Sequence, residues 1–182
     1  MKYTVFIHTN HKQILGAKVA AWALERNSEH ADAFDVQLID TRDHPWLQEY
    51  EGQLYLRDGV QRVWLNDDLQ SFTPLRFLPP KLMGYEGRAI VIDPDIFAVA
   101  DVWELLTRDM QGRAIVSRKR SGPKGAIDKC WASSVMLLDC AQLGHWDAEQ
   151  GFRELFSFAR DYSESICLKL EDPESIGVLE PE

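Results

Sequence analysis

Two aspartates separated by a single proline are the feature of this sequence with the clearest chemical potential. Asp93 and Asp95 directly follow the apolar run 89–92, with Pro94 between them. Two carboxylates within about 5 Å of each other repel, and a divalent cation removes that repulsion. Oxygen ligands select Mg²⁺, Mn²⁺ or Ca²⁺ over zinc. A cation site is therefore one interpretation, and a turn cap beside a solvated carboxylate is the other.

The elements that must position this pair follow from the pattern of apolar residues. Runs of β-forming residues predict strands at 3–8, 34–39, 88–92, 113–117 and 134–138. Between them lie segments with helical signals, so strands and helices alternate. This alternation predicts an α/β fold with a largely parallel sheet flanked by helices. Ligands in such sheets bind beyond the carboxyl ends of strands, which is where the aspartate pair lies.

The helices are predicted from spacing and from end signals. Leu15, Val19, Trp22 and Ala23 recur at helical spacing and predict an amphipathic helix over 13–26. Short or broken helices are expected at 45–50 and 75–83, where prolines occur, and further helices are expected to begin at Asp101 and Asp147. Three tryptophans, Trp22, Trp103 and Trp146, are expected to pack in the core or against helices. The acidic tail from 171 onward is expected to be loosely held.

Composition limits the classes of partner and compartment. The 182 residues suit one domain, and a net charge of −9 argues against nucleic-acid binding. The three cysteines are widely spaced, so we expect neither a disulfide framework nor a zinc site, and Cys130 and Cys140 are expected to be inert. The amino terminus lacks the apolar stretch of a signal peptide, and no apolar run is long enough for a transmembrane helix. These features predict a cytoplasmic protein.

Three stretches in order carry a resemblance to a known family. The first is FIHTNHKQILGAKVAAWALERNS, the second is LRFLPPKLMGYEGRAIVIDPDIFAVADVWEL, and the third is CWASSVMLLDC. Together they resemble the first strand, the sugar-nucleotide site and the following strand of family 8 glycosyltransferases, which have the GT-A fold. The resemblance extends over roughly residues 3 to 146. It implies a single GT-A-like, Rossmann-like domain over residues 1–182.

The resemblance also implies roles for individual residues. Asp93 and Asp95 would bind Mn²⁺ or Mg²⁺ carrying the diphosphate of a UDP-sugar, and the metal would stabilise the leaving nucleoside diphosphate. The residues implied to bind the nucleotide or the donor sugar are Thr9, Asn10, Arg76, Ser133 and Ser134. Thr9 and Asn10 would face the uracil and ribose. Sugar transfer to an unknown acceptor would retain the anomeric configuration, and no side chain stands out as a nucleophile.

Two departures from the family pattern favour a second interpretation. Ala132-Ser133-Ser134 stands where the family has Asn-Ser-Gly, and the family's later metal-binding histidine has no counterpart before Glu182. We therefore expect a C-terminally truncated chain or a differently completed metal shell, with poor turnover. The alternative function is a catalytically silent nucleotide-sugar-binding module. A nucleotidyltransferase ranks last, because HTNHKQILG is a poor match to the phosphate-binding loop of that class.

Other side chains near the expected site have both functional and structural interpretations. His8 and His11 flank the first turn and suit a ligand or base, but half-exposed histidines without function are more common. The basic loop 118–124 suits a diphosphate or an anionic acceptor, but its composition favours a solvated loop over either. Asp128 is a candidate contact for the donor sugar, and Trp131 is a candidate stacking platform for a sugar.

Overall fold

The computed structural model describes residues 1–120 and 130–179. Asp128 and the part of the predicted basic loop from Ser121 onward lie outside the described residues. The strands are, in chain order, β1 Tyr3–Thr9, β2 Asp35–Asp40, β3 Leu54–Arg57, β4 Val60–Val63, β5 Arg88–Ile92, β6 Ile115–Lys119, β7 Trp131–Asp139 and β8 Ile176–Val178. The α-helices are α1 Ile14–Arg26, α2 Pro79–Leu82, α3 Trp103–Thr107, α4 Ala148–Phe156 and α5 Tyr162–Ile166.

Six of these strands form one mixed sheet, and the order across it is β2-β1-β5-β7-β6-β8. β7 is antiparallel to both of its neighbours, β5 and β6, and the other five strands run in one direction. The predicted α/β fold with a mostly parallel sheet is confirmed. The five strands predicted from sequence are all present, with ends shifted by a few residues. β3 and β4 form a separate antiparallel hairpin, in a segment where no strand was predicted.

The sheet is covered on both faces, because alternate residues of each central strand point to opposite sides. In β1, Val5 and Ile7 pack into one core together with α1 and α3. Phe6, between them, packs into the other core with α4 and the hairpin. Burial on both faces explains why residues 89–92 of β5 are all apolar, without alternation.

Short 3₁₀ helices connect these elements and confirm two of the proline-based predictions. Pro45–Tyr50 is a 3₁₀ helix, and the predicted broken helix consists of the 3₁₀ helix Thr73–Phe77 followed by α2. Asp147 caps α4 by accepting the backbone N–H of Gln150 at 3.0 Å, as its spacing predicts. The remaining 3₁₀ helices are Ala31–Ala33, Thr41–Asp43, Cys140–Gln142 and Pro173–Ser175.

The helix α1 is present and Ala23 is buried as expected, but the other three residues of the predicted apolar stripe are exposed. Leu15 is 73% exposed, Trp22 is 57% exposed and Val19 is also exposed. The face that packs on the sheet consists of small side chains and one leucine, namely Ala17, Ala20, Ala23 and Leu24. Alanines carry little weight in an apolar periodicity, yet they let the helix lie close to the sheet. Trp103 and Trp146 do pack against the protein, as expected.

Two further expectations are corrected by the carboxyl-terminal part of the chain. The tail was expected to be loose, but β8 pairs in parallel with β6 and Ile176 is buried. Cys130 was expected to be inert and no disulfide was expected, but Cys130 is bonded to Cys167. The separation of 37 residues conceals the pairing, because β7 and the end of α5 meet only in the folded chain. Cys140 is a buried free thiol, as expected.

Candidate functional site

The candidate site lies at the carboxyl-terminal edge of the parallel strands. β1 ends there with His8 and Thr9, and β5 leads there into Asp93. Because β7 is antiparallel to β5, its first residues, including Ser133, reach the same edge. Arg76 comes to this edge from the 3₁₀ helix Thr73–Phe77. The fold therefore brings together residues that were singled out from four separate parts of the sequence.

Arg76 is the residue that joins the components of the site. It is 6% exposed, and its Nη2 donates to Oδ1 of Asp93 at 2.8 Å. Its Nη1 donates to Oγ of Ser133, and that hydroxyl donates in turn to the carbonyl oxygen of Ile166 at 2.5 Å. Nε of Arg76 is buried and has no hydrogen-bond partner among the described residues. One buried guanidinium thus links the turn after β5 to β7 and, through Ser133, to α5.

His8 is the second group on Asp93. Its Nε2 lies 2.8 Å from Oδ1 of Asp93, within hydrogen-bonding distance, and the ring is fully buried. Burial lowers the pKa of His8 below its ordinary 6.5, and the nearby Arg76 acts in the same direction, so the ring is neutral at neutral pH. In the sequence, only the position of His8 at the end of a strand indicated that it belongs to the site. His11 lies apart from this cluster and contacts Asp67 at 3.0 Å.

The carboxylate of Asp93 is charged and compensated by these neighbours. Burial alone raises the pKa of Asp93, but the His8 contact and the Arg76 guanidinium outweigh it, so the pKa lies below its ordinary 3.8. Asp95, two residues further on, is exposed. The repulsion between the two carboxylates, from which the cation site was first inferred, is therefore already reduced by Arg76. Within residues 1–120 and 130–179, no cluster of three or more histidine, cysteine or acidic side chains suits a metal ion.

The turn after β1 is arranged differently from a simple exposed nucleotide-binding turn. Thr9 and Asn10 are both fully buried. The side-chain amide of Asn10 donates to the carbonyl oxygens of Asp68 and Leu69 at 3.2 Å and to Oγ of Ser71 at 3.1 Å. Its Oδ1 accepts two backbone N–H groups at the start of α1. The segment 68–71 therefore covers this turn, and the contact of Thr9 and Asn10 with a nucleotide stays a prediction.

The amino-terminal end of α1 packs directly on the aspartate turn. A Cβ atom added at Gly16 would lie 2.7 Å from the carbonyl oxygen of Pro94. Glycine at this position allows an approach that any side chain would prevent without a backbone shift. The first turn of α1 and the turn 93–95 are thereby fixed side by side. Backbone N–H groups at a helix start favour an anion, which suits a phosphate near this turn.

The two remaining predicted residues of β7 lie beside the site in different roles. The backbone carbonyl of Ser134 accepts the N–H of Asp93 at 3.0 Å, so Ser134 positions the aspartate turn through its main chain. Trp131 is half-buried and packs against the core, and Nζ of Lys119 lies 5.4 Å from the centre of its ring. A ligand contact by the Ser134 hydroxyl or by Trp131 stays a prediction.

Comparison with solved structures relates this geometry to a known fold. The glycosyltransferase GlyE of Streptococcus pneumoniae TIGR4 matches with a TM-score of 0.63 at 16% identity, over 99% of this chain and 46% of that one. LgtC, a galactosyltransferase solved with donor and acceptor sugar analogs, matches with a TM-score of 0.62 at 14% identity, over 98% of this chain and 73% of that one. The chain has the GT-A fold of glycosyltransferases.

Further comparisons define how far the likeness reaches. Mouse xyloside xylosyltransferase 1 matches the same GT-A fold with a TM-score of 0.55 at 16% identity, over 98% of this chain and 85% of that one. This chain spans about half the length of the GlyE structure. Its sequence matches no family model and no curated protein. Within the part of the chain that the structure describes, no helix has the length and apolarity that a bilayer crossing requires.

Proposed function

We propose that this chain binds a UDP-sugar at the Arg76–Asp93 centre and transfers the sugar to an acceptor. The observation that carries the proposal is the placement of Arg76, Asp93 and Ser133 together at the carboxyl-terminal edge of a GT-A sheet. Ligands of open α/β sheets bind at this edge. A buried arginine held by two partners is also suited to a phosphate, because its remaining donors keep a fixed direction.

A divalent cation, Mn²⁺ or Mg²⁺, is part of the proposal. The hydrogen bond from Arg76 and the 2.8 Å approach of His8 both fall on Oδ1 of Asp93, so Oδ2 is the oxygen that we assign to the cation. Together with the exposed Asp95, it supplies the oxygen ligands that these cations prefer. The donor set fits a cation that is held jointly by protein, diphosphate and water. When bound, such a cation would neutralise charge on the leaving nucleoside diphosphate.

The protein groups have separate tasks in this proposal. Arg76 meets the diphosphate side of the donor, and Asp93 and Ser133 keep its guanidinium in place. The turn at Thr9 and Asn10 supports the uracil and ribose side of the donor, and segment 68–71, which covers this turn and holds the Asn10 side chain, forms the surface there. Ser133 and Ser134 adjoin the donor sugar. Retention of the anomeric configuration is included on the basis of the family resemblance.

The acceptor is a molecule other than nucleic acid, since the net charge of −9 opposes a polyanion. A cytoplasmic location was predicted from the amino-terminal sequence. The Cys130–Cys167 disulfide supports an oxidising compartment instead, because such bonds are rare in cytosolic proteins. We therefore propose that the protein functions in an oxidising compartment, where the Cys130–Cys167 bond is maintained.

Calorimetric titration of UDP in the presence of Mn²⁺ tests the proposal. We expect binding by the wild-type protein and at least tenfold weaker binding by Arg76→Lys, about 1.4 kcal/mol, because lysine cannot hold two partners in the arginine geometry. Arg62→Lys, on the exposed strand β4, is the matched control and should bind as the wild type does. Release of UDP from UDP-glucose or UDP-galactose then tests the reaction. No binding of UDP by the wild-type protein would contradict the proposal.

A further inference from the structure

A cavity of about 210 Å³ lies beside the Arg76–Asp93 centre, between α4, α5 and the 3₁₀ helix Thr73–Phe77. It has an apolar wall and a polar rim, the combination typical of small-molecule sites. The wall is formed mainly by aromatic and aliphatic side chains, including Phe77, Trp146, Phe152, Leu155, Ile166 and Leu170.

The aromatic rings give the cavity a defined shape. The rings of Phe77 and Trp146 are 5.0 Å apart and inclined at 72°, so they form two sides of a corner. Phe152, which is almost fully buried, supports the wall from within the core. Trp146 is almost fully buried, so the half-buried ring of Phe77 offers the larger apolar surface, and both rings keep their positions without a ligand. A flat ligand with one apolar face fits against them better than a branched aliphatic one.

Two carboxylates occupy the rim. Glu171 accepts the indole N–H of Trp146 at 2.9 Å and lies 2.8 Å from Nε2 of His145. Glu154 accepts from Arg160 at 3.0 Å and from Gln150 at 3.0 Å. A carboxylate has about four lone-pair positions, so each can still accept a hydroxyl proton from a ligand. Glu154 is already paired with Arg160, and the two carboxylates oppose an anion, so the rim favours a neutral ligand whose hydroxyls donate to them.

The cavity and the candidate donor site share structural parts. Phe77, in the cavity wall, follows Arg76 in the same 3₁₀ helix. Ile166, also in the wall, accepts through its carbonyl the hydroxyl of Ser133 that holds Arg76. A ligand in the cavity therefore lies next to the groups that fix Arg76.

We propose that this cavity binds a neutral pyranose unit of the acceptor. The sugar's apolar face packs on Phe77 and Trp146, and its hydroxyls donate to Glu154 and Glu171. The acceptor role rests on the proposed function, because a sugar acceptor is needed only if the chain transfers sugar. Binding of a pyranose to the cavity does not depend on a nucleotide or a metal, so the two proposals are tested separately.

The test is a titration of the isotope-labelled protein with methyl β-galactoside and methyl β-glucoside, without nucleotide or metal. We expect one of them to shift the indole N–H resonance of Trp146 and the backbone resonances of 165–171. Glu171→Gln should weaken that binding at least fivefold, about 1 kcal/mol. Glu164→Gln, on the exposed side of α5 and outside the cavity, should bind like the wild type. Matching spectra of the unliganded variants show that both fold.

Each outcome of this titration decides the proposal. No shift with either sugar, shifts outside the cavity, or equal binding by Glu171→Gln would overturn the pyranose site. A preference for methyl glucuronide, the anionic counterpart, would overturn the neutral class of ligand. If a sugar binds in the cavity but UDP with Mn²⁺ does not bind the protein, the acceptor role is overturned. If UDP binds and neither sugar binds, the donor site is supported and the cavity proposal is overturned.

Discussion

Arg76 and Asp93 form a nearly buried ion pair, with Nη2 of the arginine 2.8 Å from Oδ1 of the aspartate. The arginine side chain is 8% exposed and the aspartate side chain 22% exposed. The pair joins the 3₁₀ helix Thr73–Phe77 to the turn after the central strand β5. The position of Asp93, and with it any ligand at this edge, depends on Arg76.

Replacement of Arg76 by alanine is expected to destabilise the protein. The change removes the guanidinium that compensates the charge of Asp93 and the donor that Ser133 accepts from, and breaking a buried pair costs about 3 kcal/mol. Urea unfolding followed by circular dichroism measures the effect. Lys12→Ala, which removes the exposed contact with Asp67, is the control and should leave the unfolding midpoint unchanged. Equal midpoints for Arg76→Ala and the wild type would show that the pair contributes nothing to folding.

Replacement of Asp95 by asparagine is expected to affect cation-dependent binding without affecting stability. Asp95 is exposed, so its loss leaves the core intact, but it removes one proposed oxygen ligand. Affinity for UDP in the presence of Mn²⁺ should fall at least tenfold, about 1.4 kcal/mol. Asp32→Asn, at the opposite edge of the sheet before β2, is the control. Calorimetry that gives equal affinities for Asp95→Asn and the wild type would remove Asp95 from the cation site.

Asp161 is expected to make the β3–β4 hairpin sensitive to acid. Its carboxylate accepts the N–H groups of Gly59 at 2.8 Å and Ser163 at 2.7 Å. Burial raises its pKa, but these N–H groups outweigh that effect and hold the pKa below the ordinary 3.8. A lowered pKa means stabilisation that is present above about pH 4 and is lost as the pH falls through the folded-state value.

Hydrogen exchange checks this expectation at single residues. In Asp161→Asn, the amide that replaces one oxygen cannot accept from Gly59, so exchange of the Gly59 N–H should accelerate at neutral pH. The hairpin should also lose part of its dependence on acid. Asp147→Asn, which alters the equivalent cap of α4, should leave Gly59 unchanged. Unchanged exchange at Gly59 in Asp161→Asn would contradict the assigned contact.

The disulfide is expected to contribute to stability. A bond that closes 37 residues of chain stabilises the fold by about 3 kcal/mol, mainly by restricting the unfolded state. A reductant should therefore lower the unfolding midpoint of the wild type. The Cys130→Ser, Cys167→Ser double variant should start at the lower midpoint and not respond to reductant. Mass analysis that finds three alkylated cysteines in denatured, unreduced protein would show that the bond does not form.

The sequence was sufficient to predict the fold class and the edge of the sheet where the site lies. Apolar runs marked the strands, and Asp93 and Asp95 directly followed one of them. The ion pair with Arg76 was not predictable, because the arginine lies 17 residues upstream in a segment without periodicity. Two other features were unpredictable for the same reason, because both depend on nonlocal contacts. They are the reduced repulsion between Asp93 and Asp95 and the covering of Asn10 by segment 68–71.

Other failures have physical causes of their own. On α1, large apolar residues suggested one buried face, while alanines formed the close contact with the sheet on another. Trp22 is instead exposed, and the guanidinium of Arg26 lies over its ring, 5.0 Å from the ring centre. A disulfide requires Cα atoms within about 7 Å of each other. Only the tertiary fold brings those of Cys130 and Cys167 to 4.5 Å.

The most direct measurement of the central claim is a nuclear magnetic resonance titration of the labelled protein with UDP and Mg²⁺. The account predicts shifts clustered at residues 8–16, 68–71 and 91–96, together with the side-chain resonances of Arg76. The same titration of Arg76→Lys should give the same pattern only at much higher UDP concentration. Shifts confined to other regions, or none at all with the wild-type protein, would contradict the assignment of a nucleotide-sugar site to the Arg76–Asp93 centre.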